Sequence, residues 1–217
     1  EIAYGAEVYR DRQLDTVYIG GGTPTTLEPE QLDRLLTEIG KHFDLSKVQE
    51  FTVEAGRPDS ITREKLEVIR KHPVTRISIN PQTMNQKTLE IIGRRHTVEE
   101  TKEAFLLARE LGFDNINIDL MYGLPRQTMA EWKVSLEKAT ALPVTHISTY
   151  GLKLSDRTLW GKWVQEGRLE LPGEDLNADM QLYAMEYLEK AGFPRYEISN
   201  FAKIGYPCRH NTAYWIR

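Results

Sequence analysis

Residues 115–119 read Asn-Ile-Asn-Ile-Asp, and this alternation decides the fold. Successive side chains of a strand point to opposite faces. Ile116 and Ile118 therefore share one face, and Asn115, Asn117 and Asp119 share the other. The pattern recurs on both sides of this segment. Upstream, Ser78, Asn80 and Gln82 alternate with Ile77 and Ile79, and Thr52 and Glu54 alternate with Phe51 and Val53. Downstream, His146, Ser148 and Tyr150 alternate with Ile147 and Thr149. With the short apolar run Thr16–Ile19, these segments give strands at Thr16–Ile19, Glu50–Glu54, Thr75–Ile79, Asn115–Asp119 and His146–Tyr150.

Helical patterns separate the strands. Leu32, Leu35, Leu36, Ile39 and Phe43 fall on one helical face behind Pro29, a tolerated first-turn proline. Thr62–Lys71 places Leu66 and Ile69 inward. Thr97 with Glu100, and Thr128 with Glu131, have capping-box spacing and open two further helices. The order βαβαβαβαβ predicts an α/β fold with a parallel sheet and right-handed crossovers, closed either as a doubly wound sheet or as a barrel of βα units. After Tyr150 the rhythm changes. Leu159–Gly173 carries Trp160 and Trp163 and no clear strand. Leu176, Met180, Tyr183, Tyr187, Leu188 and Ala191 mark a long amphipathic helix, stopped by Gly192 and Pro194. Tyr196–Ile198 reads as one more strand, and residues 199–217 read as loop.

The oily strand faces must meet the helices, and the polar faces must line something. A sealed barrel core would carry Val, Ile and Leu there. Buried polar groups without partners cost about 1–3 kcal/mol each. A row of them across several strands fits a polar ligand or a water-filled cavity; the competing explanation is a satisfied internal hydrogen-bond network. Polar residues also gather at the carboxyl ends of the strands, at Gly20–Thr23, Glu54, Gln82, Asp119 and Tyr150, where sites sit in both candidate folds. Gly20-Gly21-Gly22-Thr23-Pro24-Thr25 joins a strand to a helix, and its glycines let backbone approach a ligand. It lacks the third glycine of a dinucleotide fingerprint and the Gly-Lys-Ser/Thr of a phosphate loop, so a plain tight turn is the other reading.

Composition excludes several classes. Of 217 residues, 40 % are hydrophobic and 28 % charged, an ordinary globular balance. The net charge of −4 is spread along the chain with no basic block, so nucleic acid is not an expected partner. No apolar run approaches the roughly 20 residues of a membrane span. The first residues hold no signal-peptide core. The single cysteine, Cys208, fits a reducing cytoplasm and cannot alone hold an iron–sulfur cluster or a zinc ion. The chain lacks an initiator methionine and reads as a fragment of a longer protein.

Four ordered stretches carry a resemblance. YIGGGTPT (18–25), TVEAGRPDSIT (52–62), RISINPQTMNQKTLEIIGRRHT (76–97) and NINIDLMYGLPRQT (115–128) closely resemble the radical-SAM family of oxygen-independent coproporphyrinogen III oxidases (dehydrogenases). GRLELPGEDLNADM (167–180) and AGFPRYEISNFAKIGYPCRHNTAYW (191–215) look most like the related haem chaperones. Together the stretches cover nearly the whole chain. The resemblance implies a partial (β/α)6 radical-SAM barrel over residues 1–152, without its first strand and cluster loop, and an incomplete C-terminal extension over 153–217. It implies S-adenosylmethionine at the barrel mouth. Gly21, Gly22 and Thr23 would meet the amino end of its methionine, and Arg94 its carboxylate. Gln82 and Asp119 would reach the ribose, with Glu54 in the same pocket. All but Arg94 are residues that the strand and loop patterns had already singled out.

The family's three-cysteine loop is not in this sequence, so the [4Fe–4S] cluster belongs to a full-length parent only, and no metal site is expected in this chain. On its own the chain is expected not to run radical chemistry, and no catalytic residue is assigned. The parent would work on porphyrin or haem with an electron donor. It would act either as a haem chaperone, which the C-terminal stretch favours, or as a true dehydrogenase decarboxylating coproporphyrinogen III. Gly56-Arg57-Pro58-Asp59 leans to the dehydrogenase-like branch.

Outside the pocket, His210 in His210-Asn211-x-x-Tyr214-Trp215 matches a chaperone-branch motif, and is a candidate haem or partner contact or a packing residue. Cys208, beside Arg209 and His210, is either an activated or a structural thiol. His96 reads as a solvated helix-entry residue. Setting the resemblance aside, Glu54, Asp119 and His146 could serve a metal-assisted barrel enzyme.

Overall fold

The computed structural model describes residues 1–216. Six strands form one sheet: β1 (Thr16–Ile19), β2 (Glu50–Gly56), β3 (Arg76–Gln82), β4 (Asn115–Tyr122), β5 (His146–Gly151) and β6 (Asn200–Ala202). The order in the sheet is the order in the chain. β1 to β5 are parallel, and β6 runs antiparallel to β5. A doubly wound sheet reverses its strand order partway across. This one never does, so the barrel-type alternative holds: a six-stranded, partial (β/α) barrel.

The helices are α1 (Ile2–Val8), α2 (Pro29–His42), α3 (Arg63–Lys71), α4 (Gln86–Ile91), α5 (Val98–Glu110), α6 (Met129–Thr140), α7 (Leu159–Gln165), α8 (Glu174–Lys190) and α9 (Arg209–Trp215). Both expected capping boxes form. Glu100 N–H donates to Thr97 Oγ1 at 3.1 Å while Thr97 N–H donates to Glu100 Oε2 at 2.6 Å. Thr128 and Glu131 repeat this at 3.2 and 2.8 Å. A cap of this kind is worth about 1 kcal/mol.

The apolar strand face packs on the helices as the alternation requires. Val53, Ile77, Ile79, Ile116, Ile118 and Ile147 are fully buried in one core with Leu32, Leu36, Leu66, Ile69, Phe105, Trp132 and Leu136. Register aligns the opposite face into rows. Tyr18, Thr52, Arg76 and Asn115 stand side by side across β1–β4. One step nearer the carboxyl ends, Glu54, Ser78, Asn117 and His146 do the same across β2–β5.

The second half departs from expectation. The strand lies at Asn200–Ala202 rather than Tyr196–Ile198, with Tyr196 N–H donating to Asn200 O at 3.2 Å. The segment 199–217, expected as loop, holds β6 and α9. α9 has no side-chain cap of its own; its amino end is held by a distant residue, Glu50. Because β6 pairs with β5, the sheet crosses the expected 152/153 division. Among the described residues, no helix is long and apolar enough to cross a membrane.

Candidate functional site

At the carboxyl end of β1 the chain turns through Gly20, Gly21 and Gly22. A Cβ on Gly20 would lie 2.7 Å from the Tyr18 ring and 2.8 Å from the Glu54 carboxyl carbon, so only glycine fits between them. Gly21 has φ +95° and nothing within 4 Å of its missing Cβ. It offers bare backbone to open space. The loop is anchored behind: Thr25 Oγ1 bonds with the Ala55 carbonyl and with Ser60 Oγ, and Lys65 Nζ donates to Thr25 O at 2.7 Å.

Glu54, at the end of β2, is half-buried and accepts from Tyr18 OH at 2.7 Å. Burial and this bond push the Tyr18 phenol far above its usual range, so it stays a donor. Gln82 ends β3 with φ +74°, in the left-handed region that a side-chain-bearing residue adopts only at a cost. A register shift against β4 accompanies it. Its amide has no hydrogen-bond partner within the described residues and is half-exposed. Asp119, on β4, accepts from Asn117 Nδ2 at 2.7 Å. Burial pushes its carboxyl above the ordinary range, opposed by the bonds from Asn117 and Ser148.

Arg94 enters from the segment between α4 and α5. It is half-buried and makes no ion pair among the described residues. Burial, and next the positive charge of Arg57, lower its pKa, while Asp59 acts the other way. A guanidinium that is partly desolvated and unpaired is a ready partner for an anion. Gly21, Gly22 and Thr23 thus lie in the turn after β1, Glu54, Gln82 and Asp119 in the carboxyl-terminal halves of β2, β3 and β4, and Arg94 in the connection that follows β3, near Arg57 and Asp59.

One layer deeper, the residues around Asn117 satisfy one another, while Thr52 Oγ1 and Arg76 Nε in the next row are buried without a partner among the described residues. Asn117 Nδ2 also donates to Ser78 Oγ at 2.7 Å, and Ser78 Oγ donates to Asn80 Oδ1 at 2.8 Å. Asn117 Oδ1 receives Ser148 Oγ at 3.2 Å and faces His146 Nδ1 at 2.5 Å. A carbonyl oxygen only accepts, so Nδ1 carries the proton. Nε2 then accepts from Tyr196 OH at 2.7 Å. Burial, reinforced by Arg76, holds His146 neutral. Both ring nitrogens are committed to protein partners, which removes His146 from the metal-ligand set raised with Glu54 and Asp119. Among the described residues, no cluster of three or more His, Cys, Asp or Glu suits a metal ion.

At the amino end of the same face lies a carboxylate that sequence reasoning missed. Glu50 is 3 % exposed. It accepts from Arg209 N–H at 2.9 Å, His210 N–H at 3.1 Å and Cys208 Sγ at 3.1 Å. Cys208 is a structural thiol, pushed up to about 11 chiefly by burial. His210 lies flat on Tyr18, with ring centroids 4.9 Å apart, and its Nδ1 is 2.9 Å from Thr16 Oγ1. A cavity of about 620 Å³ opens beside α9, near Asp15, Gln49 and Arg209, at the end opposite the rim.

His96 is a correction. It is fully buried, not solvated, and neither ring nitrogen has a hydrogen-bond partner among the described residues. Nδ1 stands 3.8 Å from Asp59 Oδ1. Burial and then Arg94 depress its pKa.

Comparison with known proteins supplies the context for this geometry. The radical SAM superfamily profile matches residues 1–139. The chain is 44 % identical over 203 residues to the haem chaperone HemW of Lactococcus lactis, covering 94 % of this chain and 53 % of that protein. It is 36 % identical over 204 residues to the oxygen-independent coproporphyrinogen-III oxidase-like protein HemZ of Bacillus subtilis, covering 90 % of this chain and 40 % of that protein. It spans about half the length of the curated relatives it matches, or somewhat less. Coproporphyrinogen III oxidase (HemN) from Escherichia coli superposes with a TM-score of 0.78 at 23 % identity, over 94 % of this chain and 50 % of that one. At that identity the likeness speaks for the fold alone.

Proposed function

The chain belongs to the radical SAM superfamily, and from that premise we propose that it is the S-adenosylmethionine-binding core of a haem chaperone-like protein of porphyrin and haem metabolism. The superfamily implies two cofactors, S-adenosylmethionine and a [4Fe–4S] cluster. The residues present fit the first. The observation that carries the reading is the rim itself: an open glycine turn, an unpaired guanidinium at Arg94, an unpartnered amide at Gln82 and two half-buried carboxylates. That donor set suits a zwitterionic amino acid joined to a ribose.

In this reading Gly21, Gly22 and Thr23 receive the methionine amino end, and Arg94 holds its carboxylate through a planar fork of donors. Gln82 and Asp119 meet the ribose hydroxyls. Glu54, kept in place by Tyr18, completes the pocket. The residues do not fit the cluster. One buried cysteine, engaged by Glu50, cannot supply three thiolates. We assign the cluster to thiolates elsewhere in a longer protein, and the electron donor with it. When bound together, the two cofactors supply hydrogen-abstraction chemistry; this chain's part is to bind, orient and shield. Residues 1–152 are the proposed barrel core, and 153–217 the start of an extension.

The higher identity to the haem chaperone supports the chaperone reading, with haem or a porphyrin as partner. Dehydrogenation of coproporphyrinogen III is the second reading, favoured by Gly56-Arg57-Pro58-Asp59. The intact protein decides between them: one haem bound per chain with no coproporphyrinogen turnover is expected, and steady turnover would reverse the choice. Calorimetry tests the site, where weak binding of S-adenosylmethionine is expected without the cluster. No binding by the cluster-loaded protein would sink the assignment.

A further inference from the structure

Thr16, Tyr18, Glu50, Thr52 and Glu54 alternate along β1 and β2 on the polar face, with Thr16 beside Glu50 and Tyr18 beside Thr52. α9 lies against β1 at the lower rows. Its amino end is clamped by Glu50, which takes the N–H groups of Arg209 and His210. That clamp fixes where the His210 side chain can reach. The imidazole bonds through Nδ1 to Thr16 Oγ1 at 2.9 Å and stacks on Tyr18 at 4.9 Å, with 24° between the ring planes. On the other side Tyr214 meets it edge-on at 5.4 Å. Tyr18 in turn donates to Glu54 Oε1 at 2.7 Å, and Gly20 fits between them.

We propose that His210 is a positioning residue for the cofactor pocket: it holds the Tyr18 ring from below, and Tyr18 holds the Glu54 carboxylate at the rim. The C-terminal segment thereby helps to set the pocket's geometry through Tyr18. The inference rests on the S-adenosylmethionine reading of that pocket. It gives the His210 motif a role that needs no free ring nitrogen, since Nδ1 is taken by Thr16 and the ring is enclosed by Tyr18 and Tyr214. The stack holds Tyr18 in the rotamer that reaches Glu54. Without it the phenol can swing, and the carboxylate loses its donor.

The test uses His210→Ala and His210→Phe, with 3-fluorotyrosine at position 18 as a reporter. Phenylalanine keeps a flat ring over Tyr18 and gives up the Thr16 bond. An aromatic pair of this kind corresponds to about three- to tenfold in an equilibrium constant. His210→Ala is expected to shift the position-18 fluorine resonance and to weaken S-adenosylmethionine binding by about that factor in calorimetry. His210→Phe is expected to restore most of the affinity. Unchanged affinity in His210→Ala would overturn the proposal, as would an unmoved fluorine signal. Equal losses in the two variants would also overturn it, by making the ring dispensable. The fluorine measurement needs no ligand. If the unsubstituted protein fails to bind S-adenosylmethionine, the pocket reading falls, and the fluorine shift still decides whether His210 sets Tyr18.

Discussion

Replacing Glu50 by alanine removes the carboxylate that holds the amino end of α9. Three donors lose their acceptor at once: the Arg209 and His210 N–H groups and the Cys208 thiol. The two backbone groups dominate. Each is bonded to a charged acceptor, and leaving such a donor unpaired in the interior costs about 1–3 kcal/mol. Arg209 lines the cavity of about 620 Å³, so water entering there would lower the cost of its unpaired N–H, which favours the lower half of that range. The thiol bond adds little. The expected loss is therefore about 3 kcal/mol. With a urea slope of about 2–3 kcal/mol per molar for a chain of this size, the midpoint falls by about 1 M. Glu50→Gln keeps one acceptor oxygen and loses the charge, so it should lose about 1 kcal/mol. The assay is urea unfolding followed by far-UV circular dichroism, paired with hydrogen exchange on the amides of residues 209–215. Should α9 detach before the sheet unfolds, the loss registers in the exchange rates rather than the midpoint. An alanine variant with parental midpoint and parental exchange would refute the account. So would an alanine variant no worse than the glutamine one, since the ranking rests on counting lost acceptors.

Other perturbations read the rim and the buried histidines. Arg94→Lys exchanges a planar fork for a point charge, and S-adenosylmethionine binding should weaken about tenfold while adenosine binding is unchanged; equal loss for both ligands would place Arg94 away from the carboxylate. Asp119 carries a pKa raised in the folded state. Its unfolded carboxyl ionises first, near pH 4, so the folded protein loses stability as pH rises from there to the higher folded value. Asp119→Asn should consequently gain thermal stability on the parent across that window and hold the gain at pH 7, and a gain confined to pH below 4 would contradict it. His96, His146 and His210 all have depressed folded pKa values. Their stability is present above the unfolded value near 6.5 and is lost as pH falls, by up to about 1.4 kcal/mol per pH unit for each. His146→Phe should flatten the slope of urea midpoint against pH between 6.5 and 5, and an unchanged slope would mean that His146 protonates in the folded state.

What was legible in the sequence was what local chemistry determines. Thr97 with Glu100 and Thr128 with Glu131 announced their helices because a capping box closes within four residues. The alternation of Asn115–Asp119 and its three counterparts announced both faces of the sheet. α9 was not legible: its cap is Glu50, more than 150 residues away in the chain. β6 was misplaced by a few residues, because a three-residue strand pairing with β5 carries too little pattern to fix its register. In the site, strand parity points to Glu54 and Asp119; the same count reaches Gln82, although a register shift after Ile79 interrupts the alternation there. Arg94 sits before α5, outside any strand, and entered only through resemblance. Tyr18, Glu50 and Arg76 could have been found, since each lies two residues before a polar position or the glycine turn on the same face. Parity applied one step further toward the amino ends would have named all three.

The polar face also explains why two opposed readings of it both had force. Its rows run from closed to open along the strands. At the amino end Glu50 and α9 cover it. In the middle row Asn117 spends both amide hydrogens and both lone pairs on Ser78, Asp119, His146 and Ser148, which is the satisfied network. At the carboxyl end the register of β3 shifts, so that Gln82 stands beside Leu120, and the partners run out: among the described residues the Gln82 amide has none and Arg94 makes no ion pair. A network that is satisfied around Asn117 and open above it positions the upper groups while leaving their valences free, although Thr52 Oγ1 and Arg76 Nε, one row beneath, have no partner among the described residues. That is the condition for binding a polar ligand with little reorganisation. The side chains most expensive to orient are oriented from beneath, Asp119 by Asn117 and Glu54 by Tyr18. Glu54 Oε1, the oxygen that Tyr18 holds, is also the one against Gly20, so the glycine turn closes on the anchored side of that carboxylate.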